Sequence, residues 1–391
     1  MNSKMFAASA ALTLTALAIT GCTPNNPTNA EDGRISVSST ENECKVSATE
    51  TKAGPTTFTI KNDGTQVTEF YVLGEDGKRV VSEAENIGPG ISRDLTVNLA
   101  EGKYKTSCKP GMVGDGIVGD FTVKANAEAG KVSENEQQQR DQAVAVYSSY
   151  VNKEAGELKS ATEEFTAAYA AGDDERAKEL YAPARIHFER IEPVAESFGD
   201  LDPMLDAREA DLEQGQEWTG WHKIEKDLWQ PTAEQNDGKK YTPLTQGERQ
   251  QVAEKLIGDT EALVQKIGDT KLTVDQITNG SKGLLDEVAA SKVTGEEEIW
   301  SHTDLSDFQG NIDGARKAYE VVKPIVQAKD PELVNSLDKK FAHVQELLNQ
   351  HKQGETFVSY EKLSKDEVRE LSDAIDALSE PLSQLTGAVL G

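Results

Sequence analysis

Positive charge is scarce in this chain. Its 391 residues include 41 Lys and Arg against 68 Asp and Glu, which gives a formal net charge of −27. Nucleic acids are bound through clustered basic side chains, and the sequence has no basic patch to offset its acidity, so we expect no nucleic-acid binding. An acidic surface attracts cations instead. With 37% hydrophobic and 6% aromatic residues, the composition also excludes a polytopic membrane protein.

Cysteine is equally scarce, and the first of the three cysteines lies in an N-terminal leader. Lys4 is followed by a short apolar run, and Ile19-Thr20-Gly21-Cys22 has the form of a bacterial lipobox. A transmembrane helix would need about 20 apolar residues. We therefore predict a signal peptide over 1–21, lipidation of Cys22 and a polar tether over 22–33. The mature protein would then be extracytoplasmic and lipid-anchored to a membrane; an ordinary signal peptide with a chance cysteine is the alternative.

Residues 34–125 have the pattern of short β-strands. Phe58 and Ile60 alternate with polar residues before an Asn-Asp-Gly turn, and Tyr104, Thr106 and Cys108 share one face of a later strand. Short strands separated by glycine turns over about 90 residues predict a small β-sandwich.

The composition changes sharply after the β region. Residues 126–136 are polar and predict a linker, and from 137 to 391 apolar residues recur at helical spacing. Ser364 and Glu367 form a capping-box pattern before the last periodic stretch. The predicted fold class is therefore multi-domain, with a β-sandwich followed by an all-α helical bundle. We expect a monomer.

All five histidines lie in the helical region, and the β region has none. The string Cys108-Lys109-Pro110-Gly111-Met112 resembles the ligand loop of cupredoxins, but a blue-copper centre needs two histidines and a cysteine. One interpretation is a soft site of Cys44, Cys108, Met112 and Glu69, suited to copper or to modest iron binding. The second is a Cys44–Cys108 disulfide, the default in an oxidising compartment, with Met112 filling the core.

The segment around His222 is the strongest candidate for metal chemistry. His222 and Glu225 are three residues apart, which places an imidazole and a carboxylate on one helical face. Trp218 and Trp229 fall on the same stripe. Because a bound imidazole must be deprotonated, we expect iron affinity to fall as the pH drops through about 6.5. An ordinary core stripe with one hydrogen-bonded histidine is the alternative.

Carboxylates are concentrated in three further stretches. Glu189 and Glu192 repeat the i, i+3 spacing before Pro193, acidic residues recur over 200–206, and a third cluster covers 286–287 and 296–298. Such residues usually form a solvated face. Carboxylates combined with one imidazole suit iron, manganese, zinc or copper(II).

Four sequence strings together resemble the EfeO family, the extracytoplasmic components of Efe-type iron-uptake systems. They are the Cys-Lys-Pro-Gly-Met string and the segments at 190–202, 220–226 and 301–305. The resemblance covers roughly residues 34–391. It implies a cupredoxin-like β-sandwich, an imelysin-like helical domain, and binding of iron (Fe2+ or Fe3+) and possible binding of Cu2+ or Zn2+. It also implies delivery to an iron permease in the membrane, with a haem peroxidase as companion.

The resemblance further implies a set of metal ligands. In the helical domain the matching positions are His222, Glu225, Glu192, Asp206 and Glu287. In the β domain they are Cys44, Glu69, Cys108 and Met112. The lipobox is a departure, because many relatives are free in the periplasm.

Imelysin-like proteins were once classed as metallopeptidases, so a zinc-dependent peptidase is an alternative function. An inverted zinc-peptidase motif ends in a second histidine, whereas this chain has Lys226 at that position. We therefore expect no enzyme activity; a ferroxidase step would need copper at Cys44 and Cys108. The sequence also leaves open a copper- or zinc-binding surface lipoprotein, and polysaccharide binding by the tryptophan cluster.

Overall fold

The structure is a computed structural model and describes residues 34–114, 116–127, 132–212, 215–236, 238–290 and 292–391. The predicted signal peptide, lipobox and tether lie outside these residues. The strands of the first domain fall between residues 34 and 124, and the helices begin at residue 134. The predicted fold class, a β-sandwich followed by an all-α domain, is confirmed.

Two sheets form the β domain. The four-stranded sheet has the order β2 (Cys44–Val46), β1 (Arg34–Ser39), β4 (Gly54–Asn62) and β7 (Ser92–Leu99). The five-stranded sheet has the order β3 (Glu50–Lys52), β9 (Ile117–Lys124), β8 (Gly102–Pro110), β5 (Thr68–Gly74) and β6 (Val80–Ile87).

The inward residues of these strands make one apolar core. Alternation along β4 buries Phe58 and Ile60 completely, because successive side chains point to opposite faces of a sheet. The Phe58 ring lies 5.2 Å from that of Phe70 and 5.5 Å from that of Phe121, both in the other sheet. Core packing of this kind holds the sheets face to face.

The helical domain contains ten α-helices within the described residues. They are α1 (Glu134–Ala171), α2 (Asp174–Glu189), α3 (Leu201–Asp206), α4 (Trp221–Trp229), α5 (Gln246–Asp269), α6 (Val274–Ala290), α7 (Asp304–Lys329), α8 (Pro331–Gln350), α9 (Lys365–Leu382) and α10 (Leu385–Leu390). A two-stranded hairpin, β10 (Lys352–Gln353) and β11 (Thr356–Phe357), follows α8. The predicted capping box is present at the start of α9, where Ser364 and Glu367 satisfy each other's backbone amides. Among the described helices, none is both long and apolar enough to cross a membrane.

The two domains meet along α6. Asp286 on this helix forms an ion pair with Arg93 of β7, and Asp275 accepts a hydrogen bond of 3.0 Å from the backbone amide of Asn98. The Asn279 side chain donates to the carbonyl oxygen of Thr96 at 2.7 Å. All three contacts come from β7, so this edge of the four-stranded sheet lies against α6.

Candidate metal centre

His222 lies at the centre of a buried carboxylate cluster. Its side chain is 1% exposed, and its two ring nitrogens face different acids. Nδ1 lies 3.3 Å from Glu225 and 3.9 Å from Glu298. Nε2 lies 3.5 Å from Asp206 and 3.8 Å from Glu297. Two triads of possible metal ligands therefore share this histidine, Asp206–His222–Glu297 and His222–Glu225–Glu298.

Glu225 is held in place by the loop that precedes α7. The backbone amides of Trp300 and Ser301 donate to its Oε1 atom at 3.0 and 2.7 Å. Its second oxygen, Oε2, faces His222 Nδ1. This contact assigns the proton of His222 to Nδ1. A histidine that donates its Nδ1 proton to a carboxylate keeps the lone pair of Nε2 available. Within the described residues Nε2 has no hydrogen-bond partner.

Asp206 reaches His222 because α3 and α4 approach each other very closely. Gly220 precedes α4 with φ of 89°, and a Cβ atom at this position would lie 2.1 Å from the carbonyl oxygen of Leu205. Only glycine tolerates this combination. The indole nitrogen of Trp218 donates to the carbonyl oxygen of Ala207 at 2.8 Å, which ties the two segments together on the other side.

Two buried cations lie among these acids. Arg185 of α2 is fully buried and forms ion pairs with Glu189, Asp206 and Glu298. Lys292, which is 1% exposed, lies 2.7 Å from Glu192 and 3.6 Å from Glu297. Both cations contact acids of the Asp206–His222–Glu297 triad, so the cluster is partly neutralised by the protein itself.

Burial sets the protonation of the cluster. Burial, followed by the charge of Arg185, lowers the pKa of His222 to about 4, so the imidazole is neutral at physiological pH. This corrects the expectation that the imidazole titrates near 6.5. Burial and the neighbouring acids Asp206 and Glu287 raise the pKa of Asp202 to about 7. Asp202, and not the imidazole, therefore exchanges a proton near neutral pH.

Glu297 behaves differently from the other acids of the cluster. Although burial alone would raise its pKa, Lys292 and the other cationic groups around it lower the pKa to about 2. It is therefore a carboxylate at physiological pH. Burial and the charge of Glu298 raise the pKa of Glu225, against the two backbone amides that lower it.

A cavity of about 800 Å³ is lined by Asp206 and Glu297, the two acids that face His222 Nε2. The helical domain lines it with Glu192, Asp202, Asp206, Glu287 and Glu297, and the β domain contributes Glu83, Glu85, Lys109 and Met112. Burial raises the pKa of Glu85, and its neighbours Glu83 and Glu287 add to this shift across the domain junction. The cavity is therefore an acidic chamber walled by both domains.

The structure brings the sequence-predicted residues of the helical domain either to the cluster around His222 or to the wall of this chamber. His222, Glu225 and Asp206 converge within one cluster. Glu192 and Glu287 line the same cavity farther from the imidazole. Glu192 is linked to the cluster through Lys292 and Asn311, which contact its two carboxylate oxygens.

The predicted metal site of the β domain does not form. Cys44 and Cys108 are joined by a disulfide with a Cα–Cα distance of 5.5 Å, so neither offers a thiolate, and the alternative interpretation of a disulfide is correct. Cys108 pairs with Phe70, whereas Glu69 pairs with Lys109; Glu69 therefore points to the opposite face of the sheet. Its carboxylate accepts a hydrogen bond of 2.7 Å from Tyr71 instead.

Both interpretations of Met112 from the sequence are wrong. It lies in the turn after β8 with a left-handed φ of 59° and is 40% exposed, so it neither fills the core nor joins the sulfur atoms of the disulfide. It lines the interdomain cavity instead.

Sequence reasoning missed both buried cations and did not single out the acids opposite them. Arg185 precedes Glu189 by four residues on α2, a spacing that indicates an ion pair but does not indicate burial. No sequence pattern near Lys292 predicts its burial or its ion pairs, because its three carboxylate partners are distant in the sequence or lie across a loop. Glu297 and Glu298 belonged to a predicted acidic cluster that offered no way to choose among its members.

Comparison with known proteins agrees with this architecture. The profile of the family described as Imelysin matches residues 143–385, and the profile described as Cupredoxin-like domain matches residues 9–123. The proteins named "Iron uptake system component EfeO" from Escherichia coli (strain K12) and from Shigella flexneri are each 38% identical over 361 residues, which is 92% of this chain and 92% of theirs. The corresponding protein of Escherichia coli O157:H7 shows the same identity and coverage. This chain therefore belongs to the imelysin family, within the group of EfeO iron-uptake components that carry a cupredoxin-like N-terminal domain.

Proposed function

We propose that this protein is the extracytoplasmic iron-binding component of an Efe-type uptake system, which captures iron in the interdomain chamber and passes it to a membrane permease. The observation that carries the proposal is the buried Nε2 atom of His222, which has no hydrogen-bond partner among the described residues and faces Asp206 and Glu297. The similarity to proteins named as iron-uptake components supports iron as the cargo.

The donor set fits iron. Imidazole and carboxylate ligands suit iron, zinc and copper(II), and bonds from a metal ion to such ligands are about 2.0–2.2 Å long. The Nε2–carboxylate separations of 3.5 and 3.8 Å leave room for an ion between the three groups. In this assignment His222, Asp206 and Glu297 are ligands, and Glu225 orients the imidazole from its Nδ1 side.

A carrier function is better supported than a peptidase. An inverted zinc-peptidase motif would require a histidine at position 226. Lys226 instead forms an ion pair with Glu209, and its ammonium lies over the rings of Trp218 and Trp300. Its side chain therefore has a structural role. Because the disulfide leaves no thiolate for copper, the proposal includes no ferroxidase step.

The first test is replacement of His222 by alanine. Loss of a direct ligand costs at least the 10- to 100-fold that is typical of losing an indirect, orienting partner. We therefore expect His222→Ala to weaken zinc and iron binding at least about tenfold by titration calorimetry. His343→Ala serves as the matched control, because His343 is exposed on α8 and belongs to neither triad. Equal affinities in the wild type and the His222 variant would refute the assigned site.

A further inference from the structure

Lys292 is the one lysine of the described residues that contacts the acid cluster around His222, and its surroundings are unusual. The side chain is 1% exposed, and its ammonium lies 2.7 Å from Glu192, 3.5 Å from Glu189 and 3.6 Å from Glu297. A buried ammonium requires such partners, because its charge is otherwise very costly to bury. Lys292 therefore neutralises acids that line the chamber.

One oxygen atom is shared between this lysine and the proposed iron site. Oε1 of Glu297 lies 3.6 Å from the Lys292 ammonium, 3.8 Å from His222 Nε2 and 3.9 Å from the Arg185 guanidinium. The same atom is thus within reach of a metal on His222 and of two protein cations. An ion bound between His222 and Glu297 would lie close to the ammonium and would be repelled by it.

We propose that the Lys292 ammonium competes with the metal ion for the Glu297 carboxylate. In the metal-free protein it pairs with Glu297 and Glu192, and it thereby limits the affinity of the site for the metal. Metal binding draws Glu297 away from the lysine, and departure of the metal returns it. This inference rests on the proposed function, because it assumes that the metal binds at His222. In this role Lys292 promotes dissociation of the bound ion.

Competition and simple positioning predict opposite results. If Lys292 only positioned Glu297 for the metal, its removal would weaken binding. If it competes, its removal strengthens binding, because the freed carboxylate is available to the ion and a repulsive charge is gone. The direction of the change in affinity therefore separates the two roles.

The experiment compares zinc affinities of the wild type and Lys292→Gln by calorimetry, in the full mature chain. Glutamine keeps a hydrogen-bond donor for Glu192 but removes the charge. We expect the dissociation constant to fall about 10- to 100-fold, the effect of removing one nearby like charge. We also expect zinc to raise the melting temperature of this variant more than that of the wild type, because the metal replaces a missing cation.

Two further variants control the result. Lys292→Arg retains the charge and should keep the affinity near that of the wild type. Lys282→Gln removes a largely buried lysine of α6 that is paired with Asp286 rather than with either triad, and it should change the affinity less than about threefold. If Lys292→Gln does not fold without metal, Glu192→Gln is combined with it to restore neutrality, and the double variant is compared with Glu192→Gln alone.

The outcomes distinguish this inference from the proposed function. Tighter zinc binding in Lys292→Gln, together with loss of binding in His222→Ala, supports both. Unchanged or weaker binding in Lys292→Gln, with binding still lost in His222→Ala, overturns the competitor role alone. Binding that does not depend on His222 overturns the proposed site itself.

Discussion

At the scale of single residues, several buried charges in this protein have more than one charged partner. Glu154 of α1 is an example outside the chamber. Its side chain is 5% exposed and lies 2.8 Å from His187 Nδ1, 3.0 Å from Lys153 and 3.4 Å from Arg190. Although burial alone would raise its pKa, these partners lower the pKa of Glu154 to about 2.

The low pKa of Glu154 predicts a defined dependence of stability on pH. A carboxyl group whose pKa is lower in the folded state stabilises the fold above its unfolded pKa, and the effect disappears as the pH falls toward the folded pKa. Glu154→Gln should therefore reduce the free energy of unfolding by about 2 kcal/mol at pH 7. The difference from the wild type should shrink between about pH 4.5 and 2.

Urea unfolding at several pH values measures this effect. Glu157→Gln on the same helix is the control, because Glu157 is exposed and its replacement should change the stability by less than about 0.5 kcal/mol. A loss in Glu154→Gln that is the same at pH 7 and pH 3 would show that packing, and not charge, accounts for it.

At the scale of elements, the chamber depends on close approach between backbones. The helix α6 crosses the 3₁₀ segment Glu192–Phe198 at Gly280, where an added Cβ atom would lie 1.6 Å from the carbonyl oxygen of Pro193. Glu192 precedes that proline and lines the cavity. The position of this carboxylate therefore depends on a glycine that lies 88 residues later in the chain.

We expect Gly280→Ala to lower the free energy of unfolding by at least about 2 kcal/mol, because the methyl group forces the two backbones apart. Gly283→Ala is the control on the same helix: among the described residues, no atom beyond its own helical turn lies within 4 Å of the added Cβ, so this change should stabilise the protein by about 0.5–1 kcal/mol. Thermal or urea unfolding compares the two. Equal effects of the two substitutions would argue that the contact with Pro193 has no energetic importance.

At the scale of the whole molecule, the two domains share one chamber although their folds are unrelated. The Arg93–Asp286 ion pair and the hydrogen bonds of Asn279 hold the β domain against α6, and Glu85 then faces the acids of the helical domain. The cupredoxin-like domain therefore contributes a wall to the cavity, while the sulfur atoms of Cys44 and Cys108 form the disulfide.

The predicted lipid anchor belongs to this scale as well. The predicted tether lies outside the described residues; a random coil of about ten residues has an end-to-end dimension near 18 Å, which would keep the protein beside its membrane. We expect Cys22→Ser to release a protein that binds iron normally in solution but supports little cellular uptake of radioactive iron at low concentration. Wild-type protein at equal abundance is the reference. Full uptake by the released form would mean that delivery proceeds by free diffusion.

The sequence alone determined the features that depend on local pattern. Alternation around Phe58 and the apolar spacing of the helices identified the two domains, because the periods of strands and helices differ. The spacing of His222 and Glu225 predicted a pair of metal ligands, because residues three apart in a helix share a face.

Only the tertiary structure decided which groups surround that imidazole. Arg185, Lys292 and Glu297 come from separate segments, and their contacts depend on approaches such as that of Gly220 to Leu205. The sequence also left the state of Cys44 and Cys108 open, since a disulfide requires a Cα–Cα distance that only the packing of the two sheets provides. Charge and sulfur chemistry depend on distances between residues far apart in the chain, and the local periodicity of a sequence carries no information about those distances.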